Sequence, residues 1–205
     1  RYGSTRLEGK PLKDIGGKPM IQRVYEAAQQ AQWLDQVYVA TDDARIVAAV
    51  EAFGGNVRLT SADHKTGTDR IAEVAAELDV EIVVNLQGDE PLVNPAMIDE
   101  VIQPLVADAQ LPMSTLCVPI LEEEALHDPN VVKVVFNQKG DALYFSRSLI
   151  PYPRKRDNFQ AYEHLGLYAY RKDFLLTYIA LPQSRLEINE SLEQLRVLEA
   201  GYQLK

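Results

Sequence analysis

At 205 residues the chain is long enough for one large domain or two small ones, and its 46% hydrophobic and 25% charged residues exclude a disordered tail or a fibre. Twenty-one Lys and Arg against 30 Asp and Glu give a net charge of −9, which argues against a duplex nucleic-acid binder but leaves room for a nucleotide, whose few phosphates need only a local basic cluster. The single Cys117 cannot form an intrachain disulfide, no run approaches the ~18 apolar residues of a membrane span, and no export signal opens the sequence, so a cytoplasmic protein is expected.

Short apolar runs alternate with segments of helical period, which predicts an α/β fold with a mostly parallel sheet flanked by helices. A first helix is expected with Pro19 at its first position, carrying Met20, Ile21, Val24, Ala27, Ala28 and Ala31 at helical spacing. Residues 36–40 read as a strand. Asp42 or Asp43 can cap a second helix bearing Ile46, Val47, Val50 and Phe53, stopped by Gly54 and Gly55. A strand at 56–59 follows. Thr68 or Asp69 then precedes a third helix with Ile71, Val74, Ala75 and Leu78, and residues 81–86 form another strand. Further strands are expected at 114–118, 131–136, 142–145 and 164–170, and a last helix from about Leu186 to Glu199, ended near Gly201. A single domain is expected, with a first strand ahead of Arg1 and further elements after Lys205.

The opening run 1–10 concentrates Arg1, Arg6 and Lys10 with Gly3, Gly9, Ser4 and Thr5 in an otherwise acidic chain. Glycine backbone, hydroxyls and cations of this kind can wrap a polyphosphate. The spacing is not that of the P-loop, and a solvated basic terminus is the plain alternative. Gln87-Gly88-Asp89-Glu90-Pro91 follows an apolar strand, so Asp89 lies at the strand's carboxyl end, where open α/β sheets bind ligands, and can hold magnesium. The plain alternative is an acidic turn closed by Pro91. His64 to Arg70 places a glycine and hydroxyls at a helix start, either an anion site or an ordinary cap with Thr68 capping and Arg70 in solvent. Residues 142–147 end a strand in Ser146-Arg147, and alternation puts His164, Gly166, Tyr168 and Tyr170 on one strand face. Glu187, Glu190 and Gln194 fall on one helix face, usually a solvated one. Zinc-cluster, nucleophile-elbow and His-Glu-x-x-His patterns are absent from the sequence.

In order, Arg-Tyr-Gly-Ser-Thr-Arg-Leu-x-Gly-Lys-Pro-Leu, Ala-Thr-Asp-Asp, Gly-Thr-Asp-Arg, Gln-Gly-Asp-Glu-Pro, Tyr-Phe-Ser-Arg, His-Leu-Gly-x-Tyr and Leu-Glu-Gln-Leu-Arg resemble the 3-deoxy-manno-octulosonate (Kdo) cytidylyltransferases, the CMP-Kdo synthetases, from Arg1 to Gly201. The resemblance implies a Rossmann-like nucleotidyltransferase fold, a smaller sheet region used for homodimer contact, and transfer of CMP from CTP to Kdo for lipopolysaccharide synthesis. Arg1, Gly3, Ser4, Arg6, Lys10, Thr68 and Gln87 would bind the nucleotide, with Lys10, Asp89 and Arg6 as the catalytic set and Asp89 holding Mg2+. Arg70, Arg147, His164, Tyr168, Glu187 and Glu190 would surround the sugar acid. Glu8 stands where the family commonly has Pro, and the family's second metal-binding aspartate, in a Val-Asp-Thr motif, is expected beyond Lys205. A cytidylyltransferase for sialic acid or 8-amino Kdo, or a non-catalytic nucleotide-binding fragment, is the alternative reading.

Overall fold

A computed structural model describes residues 8–155, 157 and 159–205. A 3-10 turn, Lys10–Leu12, leads to α1, Met20–Ala28, entered through Pro19 as N-cap rather than as the first helical residue. Strand β1, Val39–Thr41, pairs in parallel with β2, Val57–Leu59, across α2, Ala44–Ala52. Asp43 settles the choice of cap: its carboxylate accepts the Arg45 amide at 2.9 Å. Helix α3, Gly67–Ala76, starts two residues before the expected position because Thr66 and Asp69 form a reciprocal capping box. Thr68 and Asp69 therefore lie inside its first turn.

Strand β3, Ile82–Asn85, precedes α4, Pro95–Ala107, and then β4, Met113–Pro119. A short helix α5, Glu123–His127, leads to β5, Lys133–Phe136, β6, Ala142–Ser146, and β7, Tyr162–Arg171. The chain closes with α6, Lys172–Ala180, α7, Arg185–Glu190, and α8, Leu195–Glu199. Helices α4 and α6 were not expected from the sequence. The expected single last helix is two, because Ser191 adopts a left-handed conformation (φ 52°) between α7 and α8.

The α/β class holds, but parallel pairing among the described strands is confined to β1 and β2. The other five strands pair antiparallel, with β7 as the hub: its Tyr168–Arg171 end pairs with β3 and its Tyr162–Glu163 end with β5, while β4 runs along it throughout. The period-2 alternation of β7 decides the layers. Leu167 and Ala169 face a core with α4 residues Ile98, Val101 and Leu105, whereas Tyr170 faces one built with Ala72 of α3, Leu175 of α6 and Leu195 of α8. Residues of this kind stabilise by roughly 1.5–3 kcal/mol each when fully buried, so the sheet is fixed from both sides. The last residues also join it: the Thr115 and Ala142 amides donate to Lys205 and Leu204 carbonyls at 2.8 Å each. Strands β1 and β3, paired among the described strands with β2 and β7 respectively, both line a cleft of about 1290 Å³.

Candidate active site

Most of that cleft is walled by apolar side chains of α1, α3 and α4; polar side chains line it both before the strands, with Asp35, Gln36, Asp79 and Glu81, and beyond them, with Thr66, Arg70, Gln87 and Glu193. The end beyond the strands is the edge at which α/β sheets bind ligands. Pro11, beside Lys10, also lines it. Gly9 makes the preceding turn possible, since the 3-10 turn begins on a left-handed residue (φ 66°). The turn presents Lys10, whose ammonium meets Asp89 Oδ2 at 2.6 Å. Their side chains are 34% and 47% exposed, and ion pairs in such surroundings contribute at most ~1 kcal/mol. The pair is thus easily exchanged for ligand contacts. Arg1, Gly3, Ser4 and Arg6 lie outside the described residues.

Gln87 follows β3 and donates to Oδ1 of the buried Asn85 at 3.0 Å. A Cβ at Gly67 would stand 3.8 Å from Gln87 Nε2, ordinary contact, so the first turn of α3 lies directly beside Gln87. Thr68 is buried and donates to Glu193 Oε2 at 3.0 Å. Arg70 is not in solvent, contrary to the plain reading of its segment. It is buried, and its guanidinium donates to Asp42 Oδ2 at 2.8 Å, Thr60 Oγ1 at 2.5 Å and the Ser61 carbonyl at 3.2 Å. These bonds clamp α3 to the ends of β1 and β2.

A second cluster stands at the end of β6. Glu190 accepts Ser146 Oγ at 2.7 Å and the Arg147 amide at 2.9 Å. The Arg147 guanidinium donates to the carbonyls of Glu190 (2.7 Å), Pro129 (2.8 Å) and Ser191 (3.3 Å), which fixes its direction. His164 packs edge-on to Phe145 at 4.9 Å between ring centroids and tilts against Tyr168 at 5.4 Å, so the two share a strand face as expected. Burial pushes the imidazole down to about 4, so it is neutral at pH 7, and Thr115 Oγ1 lies 3.0 Å from its Nε2. Burial likewise drives the Tyr168 phenol far above its ordinary value. Glu187 belongs to neither group, and the expected solvated face is absent: Glu187 and Gln194 are both buried. The Glu187 carboxylate caps α7 through the Ser184 amide and takes a bidentate pair from Arg196 at 2.5 and 2.8 Å.

The sequence reading did not single out Glu193, Asn85 or the Asp42 clamp as site residues. For Glu193 a signal existed: it is the acid of Leu192-Glu193-Gln194-Leu195-Arg196, one of the runs that carry the family resemblance. Among the described residues no group of three or more His, Cys, Asp or Glu stands together. A lone carboxylate such as Asp89 does not suit zinc but fits magnesium, which uses one or two carboxylates with substrate phosphates and water.

An α/β fold with a cationic, glycine-supported turn and a carboxylate at the strand ends defines the nucleotide-handling class of such proteins. Residues 1–204 match the cytidylyltransferase family, and the chain belongs to it. It is 53% identical to a 3-deoxy-manno-octulosonate cytidylyltransferase of Syntrophotalea carbinolica, over all of this chain and 86% of that one. Against the Escherichia coli protein of the same name the identity is 51%, with 100% and 83% covered. The solved structure of a CMP:2-keto-3-deoxy-manno-octonic acid synthetase complexed with CTP superposes with a TM-score of 0.96 at 51% identity, covering all of this chain and 84% of that one. The chain is accordingly a nucleotidyltransferase.

Proposed function

We propose that the protein transfers CMP from CTP to Kdo, releasing pyrophosphate, at the end of the cleft beyond the strands. The observation that carries this reading is the Lys10–Asp89 pair held by two glycine-bearing turns at the strand ends, on a chain that matches a CTP-bound relative over its whole length. The sugar's anomeric hydroxyl attacks the α-phosphorus of CTP in line as pyrophosphate leaves. Charge develops on the phosphoryl oxygens, so positioning and electrostatics carry the rate. Lys10 releases Asp89 and neutralises triphosphate oxygens, joined by Arg1, Gly3, Ser4 and Arg6. Asp89 holds Mg2+, which when bound supplies positive charge to the phosphate oxygens. Thr68 and Gln87 stand on the nucleotide side.

Arg147, His164, Tyr168 and Glu190 form the sugar-acid side in this reading. Arg70, clamped by Asp42, orients α3 beside the nucleotide, and Glu187 acts through Arg196 on the packing of α7 and α8. An apolar length of cleft lined by both β1 and β3 supports a further strand in that space. A homodimer in the cytoplasm completes the proposal, supported by exposed Leu121 and Tyr152 beside a small groove lined by Leu126 and Phe159.

Nucleotide selectivity tests it. A site that hydrogen-bonds one base leaves polar groups unpaired with another, so pyrophosphate release with Kdo and magnesium is expected to be at least 10²-fold faster with CTP than with ATP or GTP. Equal rates with all three contradict the assignment to CTP, and a faster reaction with sialic acid or 8-amino Kdo moves the acceptor to that sugar.

A further inference from the structure

Strand β7 spends two more residues than β4 where the two run side by side. Thr115 stands opposite Tyr168 and Leu116 opposite Leu165, so Gly166 and Leu167 bulge out of the ladder. The Thr115 side chain spans that bulge. Its Oγ1 lies 2.9 Å from the Leu167 carbonyl, 3.1 Å from the Leu165 carbonyl and 3.0 Å from His164 Nε2. The Thr115 backbone is held as well, since its amide donates to the Lys205 carbonyl. The imidazole packs against Phe145 and Tyr168, and among the described residues Thr115 is the only hydrogen-bond partner of the ring.

A hydroxyl has one hydrogen to give and lone pairs to accept with, whereas a carbonyl oxygen only accepts. Two carbonyls compete for the Thr115 hydrogen, which leaves a lone pair of Oγ1 for the ring. Burial keeps that ring neutral at pH 7, with a hydrogen on one nitrogen alone. We infer that Thr115 is the positioning residue of His164: it fixes the ring as the tautomer protonated at Nε2 and leaves Nδ1 a bare acceptor. A bare acceptor turns away carboxylate and phosphate oxygens and suits a group that donates. The consequence for a ligand rests on the reading that puts His164 on the sugar-acid side. The tautomer itself is read without ligand, so the two can fail separately.

Nitrogen-15 NMR of the imidazoles at pH 7 is recorded on the parent, Thr115→Val and Thr115→Ser proteins. The chain has three histidines, and His164→Gln identifies the signals of His164 by their loss. The parent is expected to show a proton-bearing, pyrrole-type Nε2 and a pyridine-type Nδ1. Thr115→Val keeps the branched side chain that suits a strand and deletes the hydroxyl. Its two nitrogen signals are expected to move toward each other as both tautomers become populated, and Thr115→Ser restores the parent pattern. In turnover, KM for Kdo is expected to rise roughly two- to tenfold in Thr115→Val, the scale of one neutral hydrogen bond, with KM for CTP unchanged. A pyridine-type Nε2 in the parent overturns the inference whatever the variants do, and so do parent-like ring signals in Thr115→Val. Shifted ring signals with an unchanged KM for Kdo would uphold the hold of Thr115 on His164 and contradict the placing of His164 beside the acceptor sugar.

Discussion

Asp89 and His164 show how differently two polar side chains can be held. Asp89 is half exposed and, among the described residues, tied by an exchangeable ion pair, so its removal should cost the fold little. Asp89→Asn keeps the shape and deletes the charge that holds magnesium. Pyrophosphate release is expected to fall about 10²-fold or more with the melting temperature unchanged, and parent-like activity at saturating magnesium would reduce Asp89 to a turn residue. His164 is held by burial. Its folded-state value of about 4 lies below the ordinary 6.5, so the folded protein binds the proton less readily than the unfolded chain. The sign follows: this contribution is intact above pH ~6.5 and is lost progressively as the pH falls toward 4. Urea midpoints at pH 7 and pH 4.5 should therefore differ less for His164→Gln than for the parent. Equal differences would mean that His164 titrates in the folded protein as it does in the unfolded chain.

At the scale of elements, legibility followed periodicity. The strands at 57–59, 82–85 and 142–146 fall within a residue or so of their expected positions because each is a short apolar run with turn residues at both ends. Helix α4 escaped because Pro104 lies inside it and breaks the pattern, although Ile98, Val101, Ile102 and Leu105 recur at helical spacing with Glu100 and Gln103 on the exposed side. The division of α7 from α8 was illegible for another reason. Ser191 carries no glycine signal for a left-handed turn, and a pair distant in sequence, Glu187 with Arg196, holds the two helices together. That pair sits 4% and 9% exposed, so removing one partner strands a buried charge. Arg196→Met should destabilise by about 3 kcal/mol or more, lowering the melting temperature by roughly 10 °C, without ligand. A shift of only a degree or two would show that Glu187 finds water or another donor when Arg196 is gone.

Over the whole molecule, the chain's motifs are scattered along the sequence, and among the described residues the fold draws most of them into two clusters, with Glu187 apart from both. Lys10, Gln87 and Asp89 meet at the carboxyl end of β3, although the loops that carry them are nearly eighty residues apart, with |i−j| of 79 for the ion pair itself. The sequence could show that each segment suits phosphate or metal, since loop chemistry is local. It could not show that Arg70 would turn inward to Asp42, or that Glu193 rather than Glu187 would face the cleft, since both depend on which side of α3, α7 and α8 packs against β7. The family membership and the cleft together make CMP transfer to a sugar acid the central claim. Phosphorus NMR of the protein with CTP, Kdo and Mg2+ tests it most directly, because it follows the bond broken and the bond formed at once. The α-phosphorus signal of CTP is expected to give way to a sugar-linked CMP phosphodiester, with one pyrophosphate appearing for each. Unchanged CTP, or pyrophosphate accompanied by free CMP alone, would contradict it.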